Sequence, residues 1–177
     1  MLKKVFKEKS NKAVVLLSVV LLGLILAEPR AVFPEEETEA QDVCMLEKLA
    51  IPEESPAFRR LLKTTPATSE YQRARIDFLI ERVGKSDFDF IWNGESFDGR
   101  RAAFHLKYKY VKFRSEAPTA EAFITSVASW SRKTGRPYLA RIDGEICEVR
   151  AVLFRELARL DQMATEKRRE TESLPAS

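Results

Sequence analysis

Two short pairs, Asn93-Gly94 and Asp143-Gly144, constrain this chain more than any other feature. Asn or Asp followed by Gly suits a two-residue turn with positive φ at both positions, the connection that matches the twist of antiparallel strands. Around the first pair, "FDFIWNGESF" alternates, with Phe88, Phe90 and Trp92 on one face. Around the second, "RPYLARIDGEICEV" gives another hairpin. Helical patterns surround both. Ser69 and Gln72 form a capping box ahead of Ile76, Leu79, Ile80 and Val83, with Gly84 as the expected stop. Asp98 caps a helix over about residues 99–114. Thr119 opens a third, with Phe123, Ile124, Val127 and Trp130 inward and Gly135 as its stop, and Leu153, Leu157 and Leu160 stripe a fourth. The expected class is α+β: a small antiparallel sheet of hairpins with about four helices packed on it. The flanks of the two hairpins differ, and no internal repeat is legible. The globular domain is expected over 68–164 and a flexible charged tail over 165–177.

Ahead of this domain lie two segments of different character. Lys3, Lys4, Lys7, Lys9 and Lys12 precede Ala13–Ala27, fifteen residues without a charge. As a helix that run would be roughly 22 Å long, short for a hydrocarbon core of about 30 Å. A basic start, an apolar run and a terminal Ala describe an export signal over 1–27, cleaved near Ala27 or retained as an N-terminal membrane anchor. Either outcome places the remainder outside the cytoplasm, periplasmic and either soluble or tethered to the inner membrane through residues 13–27. Residues 28–67 read as an acidic, proline-containing linker with short helical pieces over 42–50 and 56–63. Cys44 and Cys147 then face an oxidising space, where they can bridge or remain two separate thiols. Beyond residue 27 the chain holds 25 basic and 26 acidic residues, which removes any general electrostatic case for nucleic acid.

From about Arg75 to Leu160 the elements "RIDFLI", "FIWNG", "AAFHLKYK", "TAEAFI" and "SWSRKTGRPYLARI" follow one another in an order and spacing that resembles the YfeK-like family of exported bacterial proteins of unknown function. The family pattern usually has Arg where Trp92 stands and commonly Ser where Thr134 stands. The resemblance implies an envelope domain and supplies no activity or catalytic residue.

The chain has one histidine, His105. On a helical wheel Ala102, Ala103, Leu106, Tyr110 and Phe113 form an apolar arc, and Arg101, His105, Lys109 and Lys112 a basic arc away from it. Phe104, Tyr108 and Val111 lie between that arc and Arg100, Lys107 and Arg114. Neighbouring cations disfavour imidazolium, so His105 is expected to be neutral at pH 7. One reading makes Arg101, His105, Lys109 and Lys112 an anion-facing surface closed at one end by Asn93 and Gly94. The other makes His105 a structural hydrogen-bonding group and the lysines plain solvated charges, with Lys109 expected to matter little for stability.

Catalytic and metal templates are incomplete. Ser126, Ser129, Ser131 and Cys147 lie in no strained nucleophile turn. "RVGKSD" ends a helix, whereas a phosphate loop opens one. Asp87 and Asp89 supply too few oxygens for calcium, and one histidine with distant cysteines makes no zinc site. No cofactor is implied. The reading that follows is a non-enzymatic envelope module whose partner is an envelope protein or an anionic envelope component. The alternative is a small extracytoplasmic hydrolase using His105.

Overall fold

A computed structural model of the chain describes residues 55–173. The apolar run 13–27, the acidic stretch before residue 55, Cys44 and the last four residues lie outside the described residues. Helix α1 spans Pro56–Lys63 and α2 Ser69–Lys85. Strands β1 (Asp89–Trp92) and β2 (Glu95–Phe97) lead into α3 (Gly99–Lys112). Helix α4 opens at Ala120–Ala122 and widens into π-helical turns over Phe123–Ala128. Strands β3 (Leu139–Ile142) and β4 (Glu145–Glu148) then lead into α5, Val149–Ser173. The class is α+β, as expected: among the described residues, five helices with a four-stranded antiparallel sheet of order β2-β1-β3-β4.

Both turns have the expected backbone. Asn93 and Gly94 sit at φ 54° and 87°, Asp143 and Gly144 at 51° and 93°. The pleat does the rest: Phe88, Phe90, Ala140, Ile142 and Cys147 are buried on one face, while Asp89, Arg141 and Ile146 point to solvent on the other. Phe78, Leu79, Phe123, Ile124, Leu153 and Leu160 fill the helical side of the same core.

The chain repeats a plan that its sequence hides. Strands β1 and β3 are related by a fixed shift of 50 residues, as are the starts of β2 and β4 and of α3 and α5. The central pairing respects this: Phe90 opposes Ala140, Asp89 opposes Arg141, and Ile91 opposes Leu139, so a local two-fold axis passes between Phe90 and Ala140. Each half is a helix, a hairpin and a helix. The expectation of no internal repeat is therefore corrected. Beyond Asx-Gly-Glu at both turns, Arg100 with Arg150 and Phe104 with Phe154, few identities survive at that shift.

Several boundaries also move. The packed unit begins by Ser55 instead of Thr68, because α1 buries Ala57, Phe58 and Leu61 in the core. The expected loose tail is helical to Ser173, and Arg168 donates to the Leu61 and Thr64 carbonyls at the end of α1. Thr68, not Ser69, caps α2, accepting from the Tyr71 amide. Gln72 instead accepts from the Ala120 amide, tying α2 to α4. Gly84 lies inside α2, where a Cβ would come within 3.2 Å of Ala103 Cβ. Its lack of a side chain permits close approach of α2 and α3; it does not end the helix. Gly135, at φ 67°, serves the loop after α4, well beyond the end of that helix.

Candidate functional site

Helix α3 carries the chain's histidine, and its start is well specified. The Asp98 side chain accepts from the Arg101 amide at 2.8 Å, leaving the helix free of acidic residues from Gly99 to Lys112. Ala102, Leu106 and Tyr110 face the core at four-residue spacing.

His105 sits at the border of that face, under the first hairpin. The Trp92 ring lies between Phe97 (centroids 3.6 Å apart, planes at 15°) and His105 (5.0 Å, 11°). His105 Nε2 is 3.1 Å from the hydroxyl of Tyr138, the residue that precedes β3. Lys109 Nζ donates to the same hydroxyl at 3.2 Å and to the Trp130 carbonyl at 2.8 Å. An ammonium only donates, so the phenol oxygen accepts from Lys109, and the direction of its bond with His105 Nε2 follows the imidazole tautomer. Burial, and then the Lys109 charge, hold His105 below the usual histidine range, in the expected direction. Burial raises the Tyr138 phenol above its ordinary value. Burial and then nearby Arg132 bring Lys109 down to about 8.

This cluster leaves almost no space inside it. Phe90, Trp92, Ala102, His105, Leu106, Tyr138 and Val149 enclose about 10 Å³, at most the room of one water. On the solvent side, Trp92, Phe97, Arg101, Phe104, His105 and Tyr108 line an open groove of about 270 Å³.

The anion-facing quartet does not assemble. Arg101 and Lys112 are exposed, Arg101 lying over the Phe97 ring at 4.8 Å and Lys112 beside Tyr108 and Phe113. Lys109 is only 4% exposed, which corrects its placement among the solvated lysines. The segment Ser129–Tyr138 packs along that side of α3, held by the Tyr138 amide to the Ser129 carbonyl and by the Ser131 amide to the Arg136 carbonyl. Asn93 and Gly94 are exposed, and Asn93 Oδ1 accepts from Thr134 Oγ1 at 2.8 Å. The first hairpin's turn is thereby pinned to the loop after α4.

Nucleophilic chemistry finds no support at His105. Ser129 Oγ donates to the Ile124 carbonyl, and Cys147 is buried and disulfide-bonded, so it offers no thiolate; Cys44 lies outside the described residues. Asp89 pairs with Arg141 at 3.4 Å. Among the described residues no group of three or more His, Cys, Asp or Glu is placed to hold a metal, and no helix is long and apolar enough to cross a membrane.

The feature that residue-by-residue reading passed over is the outer face of α3. Phe104, Tyr108 and Val111 stand at i, i+4 and i+7 and are 76%, 55% and 70% exposed. Exposed Arg101 and Lys112 run along one side of this ridge and exposed Arg100 and Lys107 along the other, with exposed Arg114 in the turn just beyond the helix end. The signal was present on the helical wheel: three large apolar residues lie outside the core arc and at mutual helical spacing.

Comparison with known proteins places this geometry among relatives without an assigned activity. The chain is 38% identical over 82 residues to the uncharacterized protein YfeK of Salmonella typhimurium strain LT2, covering 44% of this chain and 68% of that protein. No solved structure matches it. The description "Family of unknown function (DUF5329)" matches residues 70–161, the span of both hairpins with their flanking helices, and the chain belongs to that family.

Proposed function

We propose that this protein is an exported interaction module of the cell envelope, working without catalysis through the outer face of α3. One observation carries the proposal: Phe104, Tyr108 and Val111 form an exposed apolar ridge between two rows of cations on a helix with no acidic residue. Large exposed apolar groups in one row, rimmed by charge, are characteristic of contact surfaces. The basic start and apolar run of residues 1–27 support an extracytoplasmic address. The filled space on the core side of His105 supports a structural role for that cluster, because it holds at most one water.

Two experiments test the two parts. A reporter that works only outside the cytoplasm, fused after Ser177, should be active; activity confined to a cytoplasmic reporter would refute the address. A photoreactive residue at Phe104 should give discrete envelope adducts in cells, and one at exposed Ala158, on α5, should give none. No adduct at Phe104, or the same adducts at both positions, would remove the case for this face.

A further inference from the structure

We infer that the outer face of α3 docks on an anionic lipid surface, the ridge of Phe104, Tyr108 and Val111 entering the headgroup layer and the flanking cations pairing with phosphates. This rests on the interaction-surface reading above and names its partner. Three observations favour lipid over a protein partner.

The first is shape. The most exposed side chains of the face, Phe104 and Val111, stand on the crest of the helix, and the adjoining groove of about 270 Å³ lies to one side of them. A protein partner needs a matching slot for such a crest, whereas a bilayer interface deforms around it. An in-plane amphipathic helix buries its apolar face about 5–10 Å into the headgroup and acyl boundary. Phe104 to Val111 covers two turns, roughly 10 Å of helix, which allows shallow insertion and not spanning.

The second is charge. Arg101 and Lys112 on one flank, Arg100 and Lys107 on the other, and Arg114 in the turn beyond the helix end are all exposed. None of these five forms an ion pair among the described residues. Cations on both sides of an inserted ridge reach headgroup phosphates together. Exposed Lys133 and Arg136, on the segment that packs beside α3, extend the same sign of charge. Long basic side chains also lay their stems on the apolar surface while their charged ends stay wet.

The third is that the fold does not call for this ridge. At the shift of 50 residues relating the two halves, Tyr108 corresponds to exposed Ala158 and Val111 to Asp161, while Phe104 corresponds to Phe154, which packs partly against the core. At the one of these positions that is exposed in α5, Ala158, a small residue suffices.

The test uses the full chain reconstituted into vesicles, so that any contribution of residues 1–54 is common to every sample. Phe104→Trp places a probe on the crest, Ala158→Trp is the control on α5, and wild type gives the background from Trp92 and Trp130. Each is measured in vesicles of brominated phosphatidylcholine alone and in vesicles containing brominated phosphatidylglycerol. The expected result is quenching of Phe104→Trp, beyond background, that is several times stronger in anionic than in neutral vesicles and is absent from Ala158→Trp. Adding Lys107→Glu and Lys112→Glu should lower the apparent affinity for the anionic surface by at least about tenfold, since each cation near it contributes about a fivefold factor. Equal quenching in neutral and anionic lipid, or equal quenching at both probe positions, overturns the proposal. If lipid gives no quenching but poly-glutamate shifts the emission of Phe104→Trp, the lipid assignment falls and the face remains an interaction surface for an acidic polypeptide. If neither ligand changes that probe, the lipid assignment falls and the interaction-surface reading loses its support with it.

Discussion

Replacing Lys109 by Met should change how stability responds to pH, and the structure sets the size of the change. The ammonium lies between α3 and the segment Ser129–Tyr138, bonded to the Trp130 carbonyl and the Tyr138 hydroxyl. No carboxylate among the described residues pairs with it, and nearby Arg132 adds repulsion. Its folded pKa is about 8, against 10.5 for the ordinary side chain. A depressed lysine pKa means that the unfolded chain holds the proton more tightly. Stability therefore rises with pH between about 8 and 10.5, and the full penalty, about 3 kcal/mol, applies below that window. Of the other two bonded groups, His105 has lost its proton at lower pH, and Tyr138, whose pKa burial raises, opposes the rise only as pH nears the ordinary phenol value of 10.0. Urea unfolding followed by tryptophan fluorescence at about pH 7 and about pH 9.5 should show wild type gaining about 2 kcal/mol relative to Lys109→Met. Parallel pH profiles for the two proteins would refute the reasoning. A wild-type profile that falls relative to the variant would mean that an acid pairs with the ammonium.

Three further perturbations probe other parts of the frame. In Gly99→Ala the new Cβ would stand 2.4 Å from the Val83 carbonyl oxygen and 2.5 Å from that of Ser86, so thermal unfolding should show a loss at or above the top of the usual range of about 1–3 kcal/mol. Gly94→Val meets no neighbouring atom but must hold φ near 87°, so a loss of about 1–3 kcal/mol from backbone strain alone is expected; an unchanged melting temperature would contradict it. His105→Ala removes a ring stacked on Trp92 and one of two partners of the Tyr138 hydroxyl, and should cost about 1–3 kcal/mol in urea unfolding near neutral pH. Because the folded imidazole is held below its ordinary pKa, wild type should also lose stability relative to this variant as pH falls through the histidine range.

What could be read in advance was local. Asn93-Gly94 and Asp143-Gly144 announce their turns because few other residues accept that backbone, and Asp98 and Thr119 announce helix starts because their side chains satisfy amides three residues on. What could not be read was decided by segments far apart in sequence. Lys109 has the wheel position of a border residue, and only the segment Ser129–Tyr138 decides that it is buried. Gly84 has the look of a helix stop until Ala103 is seen opposite it. Helix α1 is too short to be assigned to the core by periodicity, yet Ser55 Oγ bonds Glu81 and Arg60 pairs with Asp77, fixing it to α2. The hydrogen bond between His105 and Tyr138 joins residues from the two hairpin-helix halves, a relation that exists only once β1 and β3 are paired.

The two halves divide their labour in a way that explains why α3 is the exposed partner. Helix α5 spends its polar side chains inward. Glu156 forms a buried ion pair with Arg82 of α2, Asp161 pairs with Arg75, and Arg168 closes the end of α1. Removing one member of a buried pair such as Arg82 and Glu156 strands the other charge, which makes these positions costly to change. At the same shift, Glu156 corresponds to buried Leu106 and Leu160 to buried Tyr110. Helix α3 thus meets the core with apolar groups, while its only buried cation is held by a carbonyl and a phenol instead of an acid. No structural ion pair among the described residues uses its outer cations, so Arg100, Arg101, Lys107 and Lys112 can change without stranding a buried partner. A duplicated plan in which one helix carries the internal ties leaves the other free to vary its outward face, and that face is the one carrying Phe104, Tyr108 and Val111.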